Sequence, residues 1–279
     1  MTASMTETVY TADPELRHAS RFLASAKEDL RHTAAVAWHL FRRNLQVHYR
    51  RSWLGYAWLL LPSIGTTLVW VYIHVRRIVV LSPTELPYPV HVLAGMALWQ
   101  TFVDALNAPL QQLRAGRQLV TRSRVPLEAL VLAGVFETLL SCGARLLVLA
   151  PLLFAYDLRI GPGVVLAPLG VAALTVLGLA LGVLLAPVGM LYEDIGRAIA
   201  VVTGLWFFLT PVVYRPPDRG ILRLNPVTPV LDTTRAWLTS SAPAAADGFL
   251  LVSATATAFL IVAWVLLRLA RPHLVERLG

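Results

Sequence analysis

The sequence predicts an all-α, polytopic membrane protein, and three observations carry that reading. Hydrophobic residues make up 57% of the 279 and charged residues only 14%, where a soluble domain carries about a quarter charged residues. Several stretches reach the roughly 20 mostly apolar residues that a helix needs to cross the hydrocarbon core. The charges that remain cluster between those stretches, as in FRRNLQVHYRRSW at 41–53 and QQLRAGRQLVTRSRVP at 111–126.

Residues 1–33 are polar and mixed in charge, which predicts a soluble tail with no short cleavable signal peptide. From residue 34 to about 52, apolar and basic residues alternate at helical spacing. Val36, Leu40, Asn44 and Val47 fall on one side and Arg42, Arg43 and Arg50 near the other, the pattern of a helix lying in the membrane interface. The transmembrane unit, 34–270, then continues with six apolar spans at about 57–80, 91–110, 127–155, 163–190, 196–214 and 248–270, and a tail at 271–279 follows. The third and fourth are long enough to tilt or overrun the core. Pro62, Pro109, Pro151, Pro168 and Pro187 fall in or near spans, where proline is better tolerated than in soluble helices.

Orientation follows from the basic residues. With both termini in the cytoplasm, sixteen of the 24 lysines and arginines lie inside and seven outside, and Arg145 falls within a span. This arrangement places Arg50 and Arg51 at the inner headgroups, with Trp53 and Trp58 in the aromatic belt. The net charge of +8 is therefore a membrane feature and predicts no nucleic-acid partner.

Several chemistries are excluded. Lys27, in SAKED, is the only lysine, so the chain cannot form a G-x-x-x-x-G-K-[ST] phosphate loop. It holds no HExxH and no G-x-S-x-G turn, and its seven histidines are scattered without ligand spacing. Cys142 is the only cysteine, which excludes an internal disulfide and a multi-cysteine metal site. No catalytic constellation, metal site or cofactor is expected in this chain.

The order FRRNLQVHYRRSWLGYAWLLLPS resembles the signature with which polysaccharide and polyol-phosphate exporter permeases enter the membrane. These are the type-2 transmembrane subunits of ABC exporters that move O-antigen or teichoic-acid chains. Tyr49, Arg50, Ser52, Leu54, Gly55, Trp58, Leu60 and Pro62 match the family pattern: an aromatic-basic pair, Ser-x-Leu-Gly-x-x-Trp, then Leu-x-Pro. GMALWQTF at 95–102, RSRVP at 122–126, TPVVY at 210–214 and LNPVTPVLDTTR at 224–235 follow in family order, covering about 38–240. One departure stands out. Where the family usually has Arg-Asp after the fourth span, this chain reads YEDIG, with Glu193 before Asp194 and an arginine only at Arg197, one helical turn from Asp194.

The resemblance implies a permease in the bacterial cytoplasmic membrane that moves a lipid-linked cell-envelope glycan. It implies two copies of this chain at a two-fold interface and two copies of a separate ATPase that binds ATP and magnesium. It further implies that two short helices re-enter from the outer side between spans five and six, within 210–247; an exposed outer loop is the plainer reading of that segment. It also implies that 111–126 forms a short helix docking on the ATPase. Leu119 and Val120 would supply the apolar anchor and Arg114, Arg117, Arg122 and Arg124 the steering charge. A basic loop that only fixes topology fits the same residues.

Other candidates follow from residue type. Asp104, Glu137 and Arg145 are costly inside spans and by default face protein or water. Glu137 and Arg145 share a helix face but stand about 12 Å apart, so each needs a partner on another helix. A structural ion pair and a polar lining for a hydrated glycan both fit. Trp99 and Phe102 in the second span, and Trp206, Phe207, Phe208 and Tyr214 in the fifth, are candidates for stacking on sugar rings, or for belt and core packing. Gly178 and Gly182 form a GxxxG that admits a close helix neighbour. Two alternatives remain: a type-2 permease for a drug or lipid, and a multi-span glycolipid-processing enzyme using Glu193 and Asp194.

Overall fold

At the centre of the protein two long helices lie in backbone contact. The computed structural model describes residues 33–47, 55–78, 84, 86–122, 125–158, 161–214, 224–239 and 246–278, and among these it is all helix and turn, with no strand. Helix α1 spans 33–47. A 3-10 turn, Gly55–Leu59, leads into α2, Leu61–Val75. Then come α3, Tyr88–Ala115, and the six-residue α4, Arg117–Arg122. α5 covers Leu127–Ala155, and a 3-10 turn at Pro162–Leu166 precedes α6, Ala167–Leu191. α7 is Asp194–Leu209, α8 Val227–Thr239 and α9 Ala246–Leu278.

α3 and α6 are the central pair. A Cβ on Gly178 would meet the Phe102 carbonyl and the Ala105 Cβ, and one on Gly182 would meet the Leu106 carbonyl and the Pro109 ring. Only hydrogen fits there, so the GxxxG is the seam that brings the two backbones together. α5 and α2 pack on α3, α9 packs on α6, and α8 lies across both α3 and α6. Within these apolar helices the threonine hydroxyls turn back on their own chain. Thr101, Thr175 and Thr203 donate to the carbonyls four residues earlier, at 2.8, 2.8 and 2.7 Å, which pairs each of these three hydroxyls within its own helix.

Helices stand at all six positions read from the apolar runs, but their lengths differ. Leu127–Ala155, Pro162–Leu191 and Asp247–Ala270 are long and apolar enough to cross a membrane. α2 has 15 residues, about 22 Å, against the 57–80 expected. It ends where Arg77 takes a left-handed φ of 52°. α7 has 16 residues and stops at Leu209, short of the expected 214. The cause is Pro211: the residue before proline is driven out of the helical region, and Thr210 sits at φ −107°, ψ 135°. α3 runs to Ala115, past the expected 110, so 111–115 is helix and not loop. Pro109, Pro151 and Pro187 all lie inside continuous helices.

α1 corrects the expected interfacial helix in one respect. Ala37, Leu40 and Phe41 are buried, and Trp38 and Phe41 meet Phe136 of α5 edge-on at 5.7 and 5.9 Å. Val47, assigned to the apolar side, is instead exposed, as are Arg42 and Arg43. Residues 1–32 and, from the membrane-entry signature, Tyr49, Arg50, Ser52 and Leu54 lie outside the described residues.

Candidate functional site

A polar cleft of about 340 Å³ opens between α1, the start of α2, α3 and α5. Helical periodicity builds both of its walls. On α3, Gln100, Asp104, Asn107 and Gln111 recur at steps of four, three and four, one continuous stripe. On α5, Glu137, Ser141 and Arg145 recur every four residues and face that stripe. Asn44 closes one end from α1, and Trp58, 57% exposed, stands at the margin beside Pro62.

The charges inside the helices meet partners here. Arg145 Nη1 lies 2.8 Å from Asp104 Oδ2, with the arginine side chain 8% exposed and the aspartate 32%. The contact is a close ion pair, and Arg145 Nε and Nη1, both closed to solvent, make no further hydrogen bond among the described residues. Glu137 is bound differently. Its two oxygens accept from Asn44 Nδ2 at 3.0 Å and Gln112 Nε2 at 2.8 Å, and Asn44 Nδ2 also reaches Gln112 Oε1 at 3.0 Å. Two amides thus hold one carboxylate and tie α1 to α3 and α5.

The aromatic candidates gather elsewhere. Trp99 and Phe102 are buried on the opposite face of α3, with ring centroids 5.4 Å apart. Phe102 meets Trp206 edge-on at 5.4 Å and Trp99 meets Phe207 at 6.0 Å. They form a stack that fastens α7 to α3, and neither Trp99 nor Phe102 presents surface to a passing chain. Phe208 is exposed, and Tyr214 donates its hydroxyl to the Phe208 carbonyl at 2.9 Å.

The stack continues into a polar knot that residue type alone does not reveal. Asn225 accepts from Trp206 Nε1 and from the Val227 amide, both at 3.0 Å, and donates to the Leu209 carbonyl and Thr210 Oγ1 at 3.0 and 2.9 Å. Buried Arg235 donates to the Pro211 carbonyl at 2.7 Å and contacts His91 Nε2 at 3.2 Å and Asp232 at 3.2 Å. Together they fix TPVVY and LNPVTPVLDTTR into one unit on the end of α3. The signal available beforehand was only that the two motifs share a proline-broken segment.

In the 111–126 segment a short helix, α4, does form, but two of its candidate contacts are already engaged. Arg114 belongs to α3, and its guanidinium donates to the Gly189 carbonyl at 2.6 and 3.2 Å and to the Tyr192 carbonyl at 3.2 Å. Those groups end α6 and lack helical donors, so Arg114 caps α6. Leu119 is partly buried against a cluster that includes Leu113, Leu127, Leu130 and Leu267 of its own chain. Arg117 is exposed. Arg124 and the side chains of Val120 and Arg122 lie outside the described residues. Beside α4, Glu128 pairs with Arg268 at 2.5 Å, and Arg268 stacks on Trp264 at 4.6 Å, joining α5 to α9.

At the family's Arg-Asp turn, Arg197 pairs with Asp194 at 3.1 Å, but the side chains are 78% and 88% exposed, so the pair contributes little. Glu193 makes the turn that starts α7. Among the described residues no group of three or more histidine, cysteine, aspartate or glutamate side chains is placed to hold a metal ion.

No family model matches the chain. Curated proteins do. The O-antigen export system permease protein RfbA of Myxococcus xanthus is 27% identical over 204 residues, 71% of this chain and 77% of its own. Two proteins of that name from Klebsiella pneumoniae are each 22% identical over 199 residues, 68% of this chain and 74% of theirs. The chain is similar to O-antigen export permeases. The resemblance read from the ordered motifs and this similarity agree, and they point to a transport subunit rather than an enzyme.

Proposed function

We propose that this chain is the permease subunit of an ATP-driven ABC exporter that moves a lipid-linked cell-envelope glycan of the O-antigen class across the bacterial cytoplasmic membrane. The observation that carries the proposal is the similarity to O-antigen export permeases over about 70% of the chain. The fold is consistent with it: three helices are long and apolar enough to cross a membrane, and one of them, α5, forms a wall of the hydrogen-bonding cleft. In this reading six helices span the membrane with both termini in the cytoplasm, and α8 re-enters from the outer side. Two copies meet at a two-fold interface above two ATPase subunits, with α4 as the coupling surface. The outward apolar residues of α7, including Val201, Leu205 and Phe208, then meet either lipid or the second copy. ATP and magnesium belong to the partner, so the purified chain alone binds no nucleotide.

Reconstitution tests the proposal. Proteoliposomes holding this chain and its cognate ATPase should move a lipid-linked oligosaccharide in an ATP-dependent manner, and either subunit alone should not. Chemical conversion of the glycolipid by this chain without ATPase would overturn the reading in favour of an enzyme.

A further inference from the structure

The cleft between α1, α3 and α5 is lined by polar groups that face open volume. Arg145 is one of them, its side chain 8% exposed and its Nη1 2.8 Å from Asp104 Oδ2. A guanidinium carries five N–H donors, more than this single contact uses. The carboxylate beside it is a third open, so Asp104 retains lone pairs facing the same space. The volume, about 340 Å³, is at the small end of ligand sites.

Charge decides which ligand chemistry fits. Among the described lining residues, two carboxylates, Asp104 and Glu137, and one guanidinium, Arg145, leave a net charge of minus one. Asp104 already neutralises Arg145, and among the described residues Glu137 is held by the amides of Asn44 and Gln112 and makes no ion pair. A phosphate or pyrophosphate entering this cleft meets net repulsion. Adjacent hydroxyls on a ring suit it better: one donates to Asp104 while the next oxygen accepts from Arg145. Gln100 and Gln111 on the same stripe supply both donors and acceptors, and Trp58 offers an aromatic face at the margin.

We infer that this cleft is a subsite for one neutral, hydroxyl-rich sugar unit, held through adjacent hydroxyls by the Asp104–Arg145 pair, and not a phosphate or pyrophosphate site. That the sugar belongs to a lipid-linked glycan rests on the transport reading; the binding itself does not.

The test uses the full chain in glycolipid-free nanodiscs, purified without sugar-headed detergents. Methyl glycosides of neutral hexoses, a neutral disaccharide and inorganic phosphate are titrated separately, with tryptophan fluorescence as the readout. Trp58→Phe identifies the signal that arises at the cleft. The neutral sugars should give a saturable response that Trp58→Phe reduces, and phosphate should give none. Asp104→Asn should weaken sugar affinity by about tenfold. In case that variant does not fold, Gln100→Ala should weaken it by about threefold with the unfolding temperature unchanged.

Saturable phosphate binding, no saturable response to any neutral glycoside, or unaltered sugar affinity in the folded variants would each overturn the subsite. The readout involves neither ATP nor transport. Glycan export without sugar binding therefore removes the subsite and leaves the transport reading, while sugar binding without export does the reverse.

Discussion

On one face of α3, Trp99, Phe102 and Leu106 are buried against α6 and α7 with aromatic rings in edge contact. On the other, Gln100, Asp104, Asn107 and Gln111 border open volume. The first face solves a problem of fit. In a bilayer, turning an apolar side chain away from lipid yields no hydrophobic gain, so the packed face must be held by close contact. The second face solves a problem of polar satisfaction, because amides and charges in apolar surroundings need partners. The packed face is complete. The polar face is not: Asp104 is 32% exposed, and the stripe it belongs to borders the cleft.

Substitutions on the two faces should separate these roles. The largest loss is expected from Phe102→Ala, about 3–5 kcal/mol, since the side chain is wholly buried and its neighbours are fixed to two helices. Reversible unfolding of the purified protein measures it, and a loss under about 1 kcal/mol would mean the stack closes around the gap.

Asp104→Ala should cost less, about 2 kcal/mol. Breaking a fully buried ion pair costs about 3–5, but the Asp104 side chain is 32% exposed and the pair is partly screened. Combining Asp104→Asn with Arg145→Gln should recover most of that loss, because no lone charge remains. If the double variant is as unstable as the single one, the pair is not the unit that matters.

Asn44→Ala should cost about 1 kcal/mol and act locally. It removes the amide that binds Glu137 and Gln112 together, so hydrogen exchange should quicken in α1 and not in α6. The smallest effect belongs to Arg197→Ala, within about 0.5 kcal/mol, because its ion pair stands in solvent. A larger change in unfolding free energy would reveal a contact beyond Asp194.

Much of this architecture was legible in the chain because apolar run length is nearly all that a membrane helix requires. The bounds expected for the third span, 127–155, are those of α5. Where the reading erred, a local rule won. Pro211 cut α7 short, and polar residues at 111–115 resembled a loop although α3 continues through them, since they reach either the cleft or the end of α6.

Within the site, Asp104, Glu137 and Arg145 stood out because charge is rare in such runs. Gln100, Asn107 and Gln111 did not, although their spacing around Asp104 carries the same stripe. The aromatic residues were ambiguous for a different reason. Trp99 and Gln100 are neighbours in sequence but point about 100° apart on the helix, and only the position of α7 decides which of them is covered. Asn225 and Arg235 lay beyond reach, because most of their partners are carbonyls and side chains 15 to 144 residues away.

The junction between α3 and α4 has a mechanical consequence. At Gly116 a Cβ would stand 2.7 Å from the Leu130 side chain of α5, and two residues earlier Arg114 grips the end of α6. The joint is therefore in contact with two neighbouring helices at the point where the chain turns from α3 into α4. On the proposed export reading, a load applied to α4 should reach α5 and α6 as well as α3, while α2 and α7 are not among these contacts.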